Sequence, residues 1–189
     1  ELWGIFKSLG LYSLCVIIGL ALMIFVVYPL IVRVFGNKNL FYIPFFKKMA
    51  PAQFLAFSTS SSAATLPVTM HCVEERIGVS KKVSSFVLPI GATVNMDGTS
   101  LYQAIAVIFL AQMHWIELDL AQQLTIVLTA TLASIGSAAV PSAGLVMLIM
   151  VLQSVGLNPM WIAIIFPVDR LLDMCRTTVN VTGDATICT

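Results

Sequence analysis

Charged side chains are scarce in this chain. Only 10% of its 189 residues are Asp, Glu, Lys or Arg, against about 25% in a typical soluble domain. Hydrophobic residues make up 59%, and the mean hydropathy is +0.97. This composition predicts an integral membrane protein of the all-α class, located in the cell membrane and crossing it several times.

Several functional motifs are also missing. A net charge of +1 provides no concentrated basic face for a nucleic acid. No GxSxG motif occurs, and the two histidines, His71 and His114, fall in predicted loops at opposite faces, so we expect neither an enzyme nor a shared metal site. The cysteines share no CxxC or metal-like spacing and are interpreted as small buried hydrophobic residues: Cys15, Cys72, Cys175 and Cys188. The chain opens on Glu1 without a methionine or a leader pattern, and we expect it to be a fragment.

The basic residues indicate an orientation in the membrane. Residues 9–32 form an apolar run long enough to span about 30 Å of hydrocarbon. Two loops follow that contain seven of the ten basic residues, Arg33, Lys38, Lys47, Lys48, Arg76, Lys81 and Lys82. The loops near residues 114–120 and 155–159 contain none. The positive-inside rule therefore predicts that the first two loops face the cytoplasm and that the other two face outward.

This orientation requires two segments to enter the membrane and return on the same side. The apolar pieces within residues 39–75 and 116–158 are too short to span singly. Each surrounds a tip rich in Ser, Ala and Pro, STSSSAATLP at 58–67 and SIGSAAVPSAG at 134–144. Irregular backbone at membrane depth is tolerated only where it is buried or lines a cavity. We therefore predict two re-entrant helical hairpins of opposite orientation.

Each predicted hairpin precedes a span with a polar interruption, NMDGT at 95–99 and NVTGD at 180–184. Both interruptions are predicted to break their helix. The chain then divides into a transmembrane helix, a hairpin, a broken helix, a second hairpin and a second broken helix, at residues 1–38, 39–75, 76–115, 116–158 and 159–189. Paired discontinuous segments of this kind indicate the binding site of a secondary transporter.

A polar stripe is the third element of that site. Five residues of the last segment are spaced 4, 3, 4 and 4 apart, namely Asp169, Asp173, Arg176, Asn180 and Asp184. On a helix they share an arc of about 80°. Charges facing lipid cost about 2.5 to 3.5 kcal/mol each, so we expect the stripe to face an interior site. A structural ion-pair seam between helices is the alternative, just as Asn95 and Asp97 could merely stabilise a kink.

Four motifs, in this order and spacing, resemble the dicarboxylate/amino acid:cation symporter family, in its glutamate/aspartate:sodium branch. They are STSSSAATLPVTM, LPIGATVNMDGTSLYQ, ASIGSAAVPSAG and LDMCRTTVNVTGD. The resemblance implies part of a transport domain that moves as an elevator against a scaffold in a homotrimer. It also implies sodium-coupled uptake of L-glutamate or L-aspartate, with no cofactor besides the coupling ion. A carrier of C4-dicarboxylates or neutral amino acids in the same family is the alternative. A passive channel is less favoured, because an arginine and an aspartate one helical turn apart suit the binding of a zwitterion better than the free passage of an ion.

By the resemblance, Arg176 and Thr99 would bind the side-chain carboxylate of the substrate, for which a guanidinium is well suited. Asp173 would take the ammonium group, with help from carbonyl groups near Ser60. The α-carboxylate would lie among Ser61, Ser62, Thr177 and Asn180. Asp169 would only orient or balance an arginine.

Three sodium sites are implied, each formed by oxygen ligands. The first would use Asp184 with carbonyl groups of Gly91, Asn95 and Asn180. The second would use carbonyl groups of Thr93, Met96, Ser134, Ile135 and Ser137. The third would involve Asn95 and Asp97 together with ligands from an earlier helix.

The sequence departs from the family at several positions. Ser60 stands where some archaeal relatives have arginine, so Arg176 alone must bind the substrate carboxylate. Gln103 stands where animal glutamate carriers have an acidic residue that is implicated in proton coupling, so we expect no proton coupling of that kind. Ala139 and Ser142 replace tip glycines, which leaves Gly136 and Gly144 as hinge candidates.

Overall fold

The computed structural model describes residues 2–35 and 42–189, and in these ranges the regular structure is entirely helical. The predicted boundary between residues 38 and 39, and Lys38 itself, lie outside the described residues. The α-helices are α1 Leu2–Leu22, α2 Tyr28–Phe35, α3 Tyr42–Thr59, α4 Ser62–His71, α5 Lys81–Val94, α6 Asp97–Met113, α7 Leu120–Ile135, α8 Ala143–Ser154 and α9 Ile162–Cys188.

The first two helices form one continuous rod. A π-helical turn, Met23–Val27, joins α1 to α2, and the residues at both of its ends have right-handed helical backbone angles. Within the described residues, one helix, Phe6–Phe35, is long and apolar enough to cross a membrane, with a mean hydropathy of 2.9. The predicted span at residues 9–32 lies inside this rod.

Both predicted hairpins are pairs of packed helices joined by a tip. In hairpin 1, α3 and α4 are separated only by Ser60 and Ser61. The Ser61 hydroxyl caps α4 by accepting a hydrogen bond of 3.2 Å from the Ala64 amide, which is the usual role of serine at a helix start. In hairpin 2, α7 and α8 flank a tip at residues 136–142.

The NMDGT segment breaks its helix as predicted. α5 ends at Val94 and α6 begins at Asp97, and the two residues between them, Asn95 and Met96, have non-helical backbone angles. The Asn95 amide still closes the last turn of α5 by donating to the Gly91 carbonyl at 2.8 Å. Asn95 therefore lies in the break and Asp97 in the first turn of the next helix, so neither polar residue is inside a continuous helix.

The prediction of a second broken helix at residues 180–184 was wrong, because α9 runs without interruption from Ile162 to Cys188. Threonine hydroxyls satisfy the polar turns locally: Thr182 donates to the Thr178 carbonyl at 2.7 Å and Thr186 to the Thr182 carbonyl at 2.8 Å. Such back-bonding lets threonine remain inside a helix. Gly183 is retained in the helix because neighbouring side chains pack directly against it.

Helix α9 connects two hydrophobic cores. Its first half packs with α1, α6 and hairpin 2 around Tyr102, Leu148 and Leu172. Its last turns pack with hairpin 1 and α5 around Phe45, Met49 and Ala185. Because α9 touches both hairpins and both halves of the broken helix, its polar stripe lies where all four meet.

Candidate functional site

The polar stripe of α9 is buried along its whole length, and Arg176 is its most enclosed member, with 1% of its surface exposed. Its Nη2 donates to Asp173 Oδ1 at 2.7 Å and to Asp169 Oδ1 at 3.2 Å. The guanidinium carbon lies 3.8 Å from the centre of the Tyr102 ring, a cation–π contact. Among the described residues, Nε and Nη1 of Arg176 have no hydrogen-bond partner.

The two carboxylate oxygens of Asp173 have different partners. Oδ1 accepts from Arg176, and Oδ2 accepts a 2.9 Å hydrogen bond from the Ser142 amide at the end of the hairpin 2 tip. Ser142 adopts a left-handed backbone conformation, with φ of 61°, which is unfavourable for a residue other than glycine. The tip is therefore fixed against α9 by a carboxylate.

Asn180 joins α9 to the start of α6. Its Oδ1 accepts from the Gly98 amide at 2.8 Å, and its Nδ2 donates to the Thr99 hydroxyl at 3.3 Å. A Cβ at Gly98 would lie 2.9 Å from the Arg176 carbonyl oxygen. Only glycine permits this approach, so the helix break and the stripe are held together by backbone contact.

The tips of the two hairpins touch. The Ser61 hydroxyl donates to the Ala139 carbonyl at 2.7 Å. Ser60, the preceding residue, has a left-handed backbone conformation with φ of 52°. A cavity of about 20 Å³ remains between the tips, the helix break and α9, which is room for about one water molecule. It is lined by Ser60, Ser62, Met96, Thr99, Ser137, Asp173, Thr177 and Asn180, among others.

Six of the eight predicted substrate-binding residues thus line one cavity, and Ser61 lies at the contact between the tips. Arg176 lies behind Asp173, and its Nη1 is close to Gly144, where a Cβ would stand 3.5 Å away. The same Cβ would lie 2.8 Å from Thr99 Cγ2. Gly144 therefore allows hairpin 2 to close over the arginine.

A second polar cluster connects the end of α5 to α9. The Asn95 Nδ2 donates to Asp184 Oδ1 at 2.9 Å, and Asp184 is 3% exposed. A Cβ at Gly91 would lie 2.6 Å from the same oxygen. Gly91, Asn95 and Asp184 are therefore neighbours, but the contact with Asp184 is made by the Asn95 side chain and not by the backbone carbonyl groups predicted for the first sodium site.

The other predicted sodium ligands are only partly assembled. Met96 and Ser137 line the same small cavity, whereas Thr93, Ser134 and Ile135 do not belong to its lining. Thr93 and Ile135 are exposed and Ser134 is buried. The Asn180 carbonyl lies inside a continuous helix rather than at a break, so that predicted ligand does not have the freed carbonyl that the sequence suggested.

Two residues, Tyr102 and Gln103, make contacts with the site that the sequence did not predict. The Tyr102 hydroxyl donates to Asp169 Oδ1 at 2.8 Å while its ring lies under Arg176. It lies three residues after Thr99 and so on the same helical face, but an aromatic residue in an apolar helix usually indicates core packing. Gln103 is completely buried, and its Nε2 donates to the Gly144 carbonyl at 2.9 Å. This bond attaches α6 to the start of α8.

A buried charged site between a broken helix and two hairpin tips is the arrangement of a secondary transporter. The chain belongs to the sodium:dicarboxylate symporter family, whose model matches residues 1–189. This result confirms the resemblance derived from the four motifs.

The relatives found by comparison are transporters and not enzymes, in agreement with the expectation from the sequence. Excitatory amino acid transporter 2 of Homo sapiens is 51% identical over 179 residues, which cover 95% of this chain and 31% of that protein. Excitatory amino acid transporter 3 of Mus musculus is 50% identical over 185 residues, 98% of this chain and 35% of that protein. An excitatory amino acid transporter of Caenorhabditis elegans is 49% identical over 179 residues, 95% of this chain and 35% of that protein. The chain spans about a third of the length of the curated relatives it matches.

Proposed function

We propose that this chain forms the substrate- and sodium-binding part of a membrane carrier that couples sodium entry to the uptake of acidic amino acids. The observation that supports it best is the buried Arg176, which has two guanidinium nitrogens without partners among the described residues. An unpartnered buried donor of a charged group costs more than about 1 to 3 kcal/mol. A carboxylate of the substrate would accept a charge-assisted hydrogen bond from Nη1, whose bonding capacity is unused among the described residues.

Asp173 supports an amino acid over a simple dicarboxylate. When hairpin 2 opens, the Ser142 amide leaves Asp173 Oδ2, and this oxygen becomes available to an ammonium group. A C4-dicarboxylate would instead place a second negative charge beside Asp173, which is unfavourable at close range. A neutral amino acid would leave Nη1 of Arg176 without a hydrogen-bond partner. The acidic amino acid is thus the ligand class that fits both charges.

The α-carboxylate is assigned to the polar groups between the hairpin tips. Ser61 and Ser62 lie at the N-terminus of α4, where the first amides of a helix face outward and the dipole favours an anion. Thr177 and Asn180 line the same cavity. This division places the two carboxylates of the substrate at separate groups of donors.

Sodium is assigned to the clusters around the helix break. Asp184, Asn95 and the carbonyl of Gly91 would form one site, and Asp97 with Asn95 would form part of another, because hard cations prefer oxygen ligands. The second predicted site needs Thr93, Met96, Ser134, Ile135 and Ser137 to converge, which requires hairpin 2 to settle further onto α5. Sodium binding and closure of hairpin 2 would then be coupled.

The membrane arrangement is proposed on the same basis. Hairpins 1 and 2 would re-enter the membrane from opposite sides, and the chain would cross it several times in the cell membrane. The assembly would move as an elevator against a scaffold in a homotrimer. The cavity of about 20 Å³ is too small for an amino acid, so hairpin 2 would have to move before the substrate could enter.

The test is uptake into proteoliposomes containing the full-length protein. We expect L-aspartate or L-glutamate to accumulate inside the liposomes when an inward sodium gradient is imposed, and not when choline replaces sodium outside. Among the unlabelled competitors aspartate, glutamate, succinate, serine and alanine, we expect the two acidic amino acids to compete most strongly. Uptake that ignores sodium would refute the coupling, and succinate as the strongest competitor would refute the assignment of Asp173.

A further inference from the structure

A tyrosine of the first rod reaches into the proposed sodium region, although no motif pointed to it. Tyr28 is the first residue after the π-helical turn Met23–Val27 and is 1% exposed. Pro29 follows it and has no amide hydrogen, so the helical ladder is already weakened there. Single π-helical turns occur frequently at functional sites, where they re-aim the next side chains.

The Tyr28 hydroxyl contacts a carboxylate 69 residues away in the sequence. It lies 3.1 Å from Asp97 Oδ2 and 3.2 Å from the Val179 carbonyl oxygen, and its single proton is shared between these acceptors. A hydrogen bond to an ionised acceptor is stronger than one between neutral groups. Asp97 is half-buried, and Tyr28 occupies only one of its two oxygens.

The surroundings of the hydroxyl are tight and polar. A Cβ at Gly183 would lie 2.7 Å from the Tyr28 hydroxyl and 3.0 Å from Asn95 Nδ2. Asn95 in turn donates to Asp184. The hydroxyl is therefore close to the Asn95–Asp184 pair, at the point where α2, the helix break and α9 meet.

We propose that Tyr28 is a positioning residue for sodium binding, an inference that rests on the proposed function. By holding Oδ2 of Asp97, the hydroxyl fixes the orientation of the carboxylate and leaves Oδ1 for the ion. Without it the carboxylate would have to be ordered when sodium arrives, at a cost in side-chain entropy. Tyr28 thereby ties the first rod to the ion site.

The experiment compares Tyr28→Phe with wild type in the full-length protein. Phenylalanine keeps the ring in its pocket and removes only the hydroxyl. We expect the sodium concentration for half-maximal uptake to rise about tenfold, which corresponds to about 1.4 kcal/mol, while uptake at saturating sodium stays within twofold. Sodium-induced thermal stabilisation of the purified protein, measured without amino acid, should shift to higher sodium by the same factor.

Tyr42→Phe is the matched control. The Tyr42 hydroxyl is also buried but has no hydrogen-bond partner among the described residues, so its sodium dependence should match wild type within twofold. A purely structural role for Tyr28 would lower the melting temperature equally at all sodium concentrations and leave the midpoint unchanged, which would overturn the proposal. Wild-type uptake without sodium dependence would instead refute the proposed function, and the two failures are distinct.

Gly183→Ala provides a second variant in case Tyr28→Phe does not yield folded protein. The added methyl group would lie 2.7 Å from the Tyr28 hydroxyl and 3.0 Å from Asn95 Nδ2, so it displaces both groups and should raise the sodium midpoint at least threefold. Gly10→Ala, where a Cβ meets nothing within 4 Å, should leave the midpoint unchanged. An unaltered midpoint in Gly183→Ala would count against the positioning role.

Discussion

At the scale of single residues, Arg176 concentrates the chemistry of the site. It is held by two carboxylates and a tyrosine ring, all within hydrogen-bond or cation–π distance. Removing one partner of a buried ion pair leaves an uncompensated charge and costs about 3 to 5 kcal/mol. The arginine, proposed above as the recognition group for the substrate, is therefore also an electrostatic requirement of the fold.

Replacing Arg176 with cysteine should change the substrate class. We expect Arg176→Cys to lose acidic amino acids by at least a hundredfold in affinity and to gain uptake of neutral ones, because the positive partner of the side-chain carboxylate is gone. Competition uptake measures both effects. Arg170→Cys removes an exposed arginine of the same helix and should retain acidic preference; an Arg176→Cys carrier that still prefers aspartate would exclude the assigned role.

The residues of the stripe were predictable because charged residues are rare in an apolar helix unless they face an interior site, and because the helical period shows which of them share a face. Asp169, Asp173 and Arg176 were found in this way. Tyr102 was not, because its contribution depends on which helices pack together. The periodicity of a sequence predicts which residues share one face of a helix, but not which other helix packs against that face.

At the scale of elements, the broken helix is positioned by close backbone approach. Gly98 lets the start of α6 touch α9, and its amide binds Asn180. The NMDGT segment predicted the break because NxDG is a poor helical sequence. In NVTGD and just after it, Thr182 and Thr186 bond back to their own helix. Asn180 and Asp184 find partners on other helices, so the same reasoning failed there.

Gly98→Ala should disturb this junction. The new methyl group would lie 2.9 Å from a backbone oxygen, so α6 and α9 must separate, at a typical cost of about 1 to 3 kcal/mol. We expect a lower melting temperature and at least tenfold weaker substrate binding, measured by thermal unfolding and uptake. Gly10→Ala lies in open space and should be neutral. If Gly98→Ala keeps wild-type affinity, the Gly98–Asn180 contact is not needed for binding.

At the scale of the whole molecule, the two hairpin tips close the site. Both hairpins were predicted from tip composition and from the distribution of lysine and arginine. Their mutual contact through Ser61 and Ala139 was not, since it links residues 78 positions apart. Contacts of that kind come from tertiary packing, which a single sequence does not encode in its local pattern.

A disulfide between the tips should lock the carrier shut. Cys15 is exposed and not buried as the sequence predicted, so it is replaced by serine in the test protein. We expect the pair Ser61→Cys and Ala139→Cys in this background to lose at least tenfold of its uptake on oxidation. Dithiothreitol should restore it, because reduction frees hairpin 2. Each single variant should ignore the oxidant, and uptake that persists in the oxidised pair would show that the tips need not part.

The closed cavity also bears on selectivity. With hairpin 2 shut, the Ser142 amide occupies Asp173 Oδ2, the oxygen proposed to bind the ammonium group. The proposed dissociation constant is then a difference between the bonds that the substrate gains and the hydrogen bond that it displaces. A near-analogue without the ammonium group would break the same hydrogen bond without replacing it, so we expect the site to reject it.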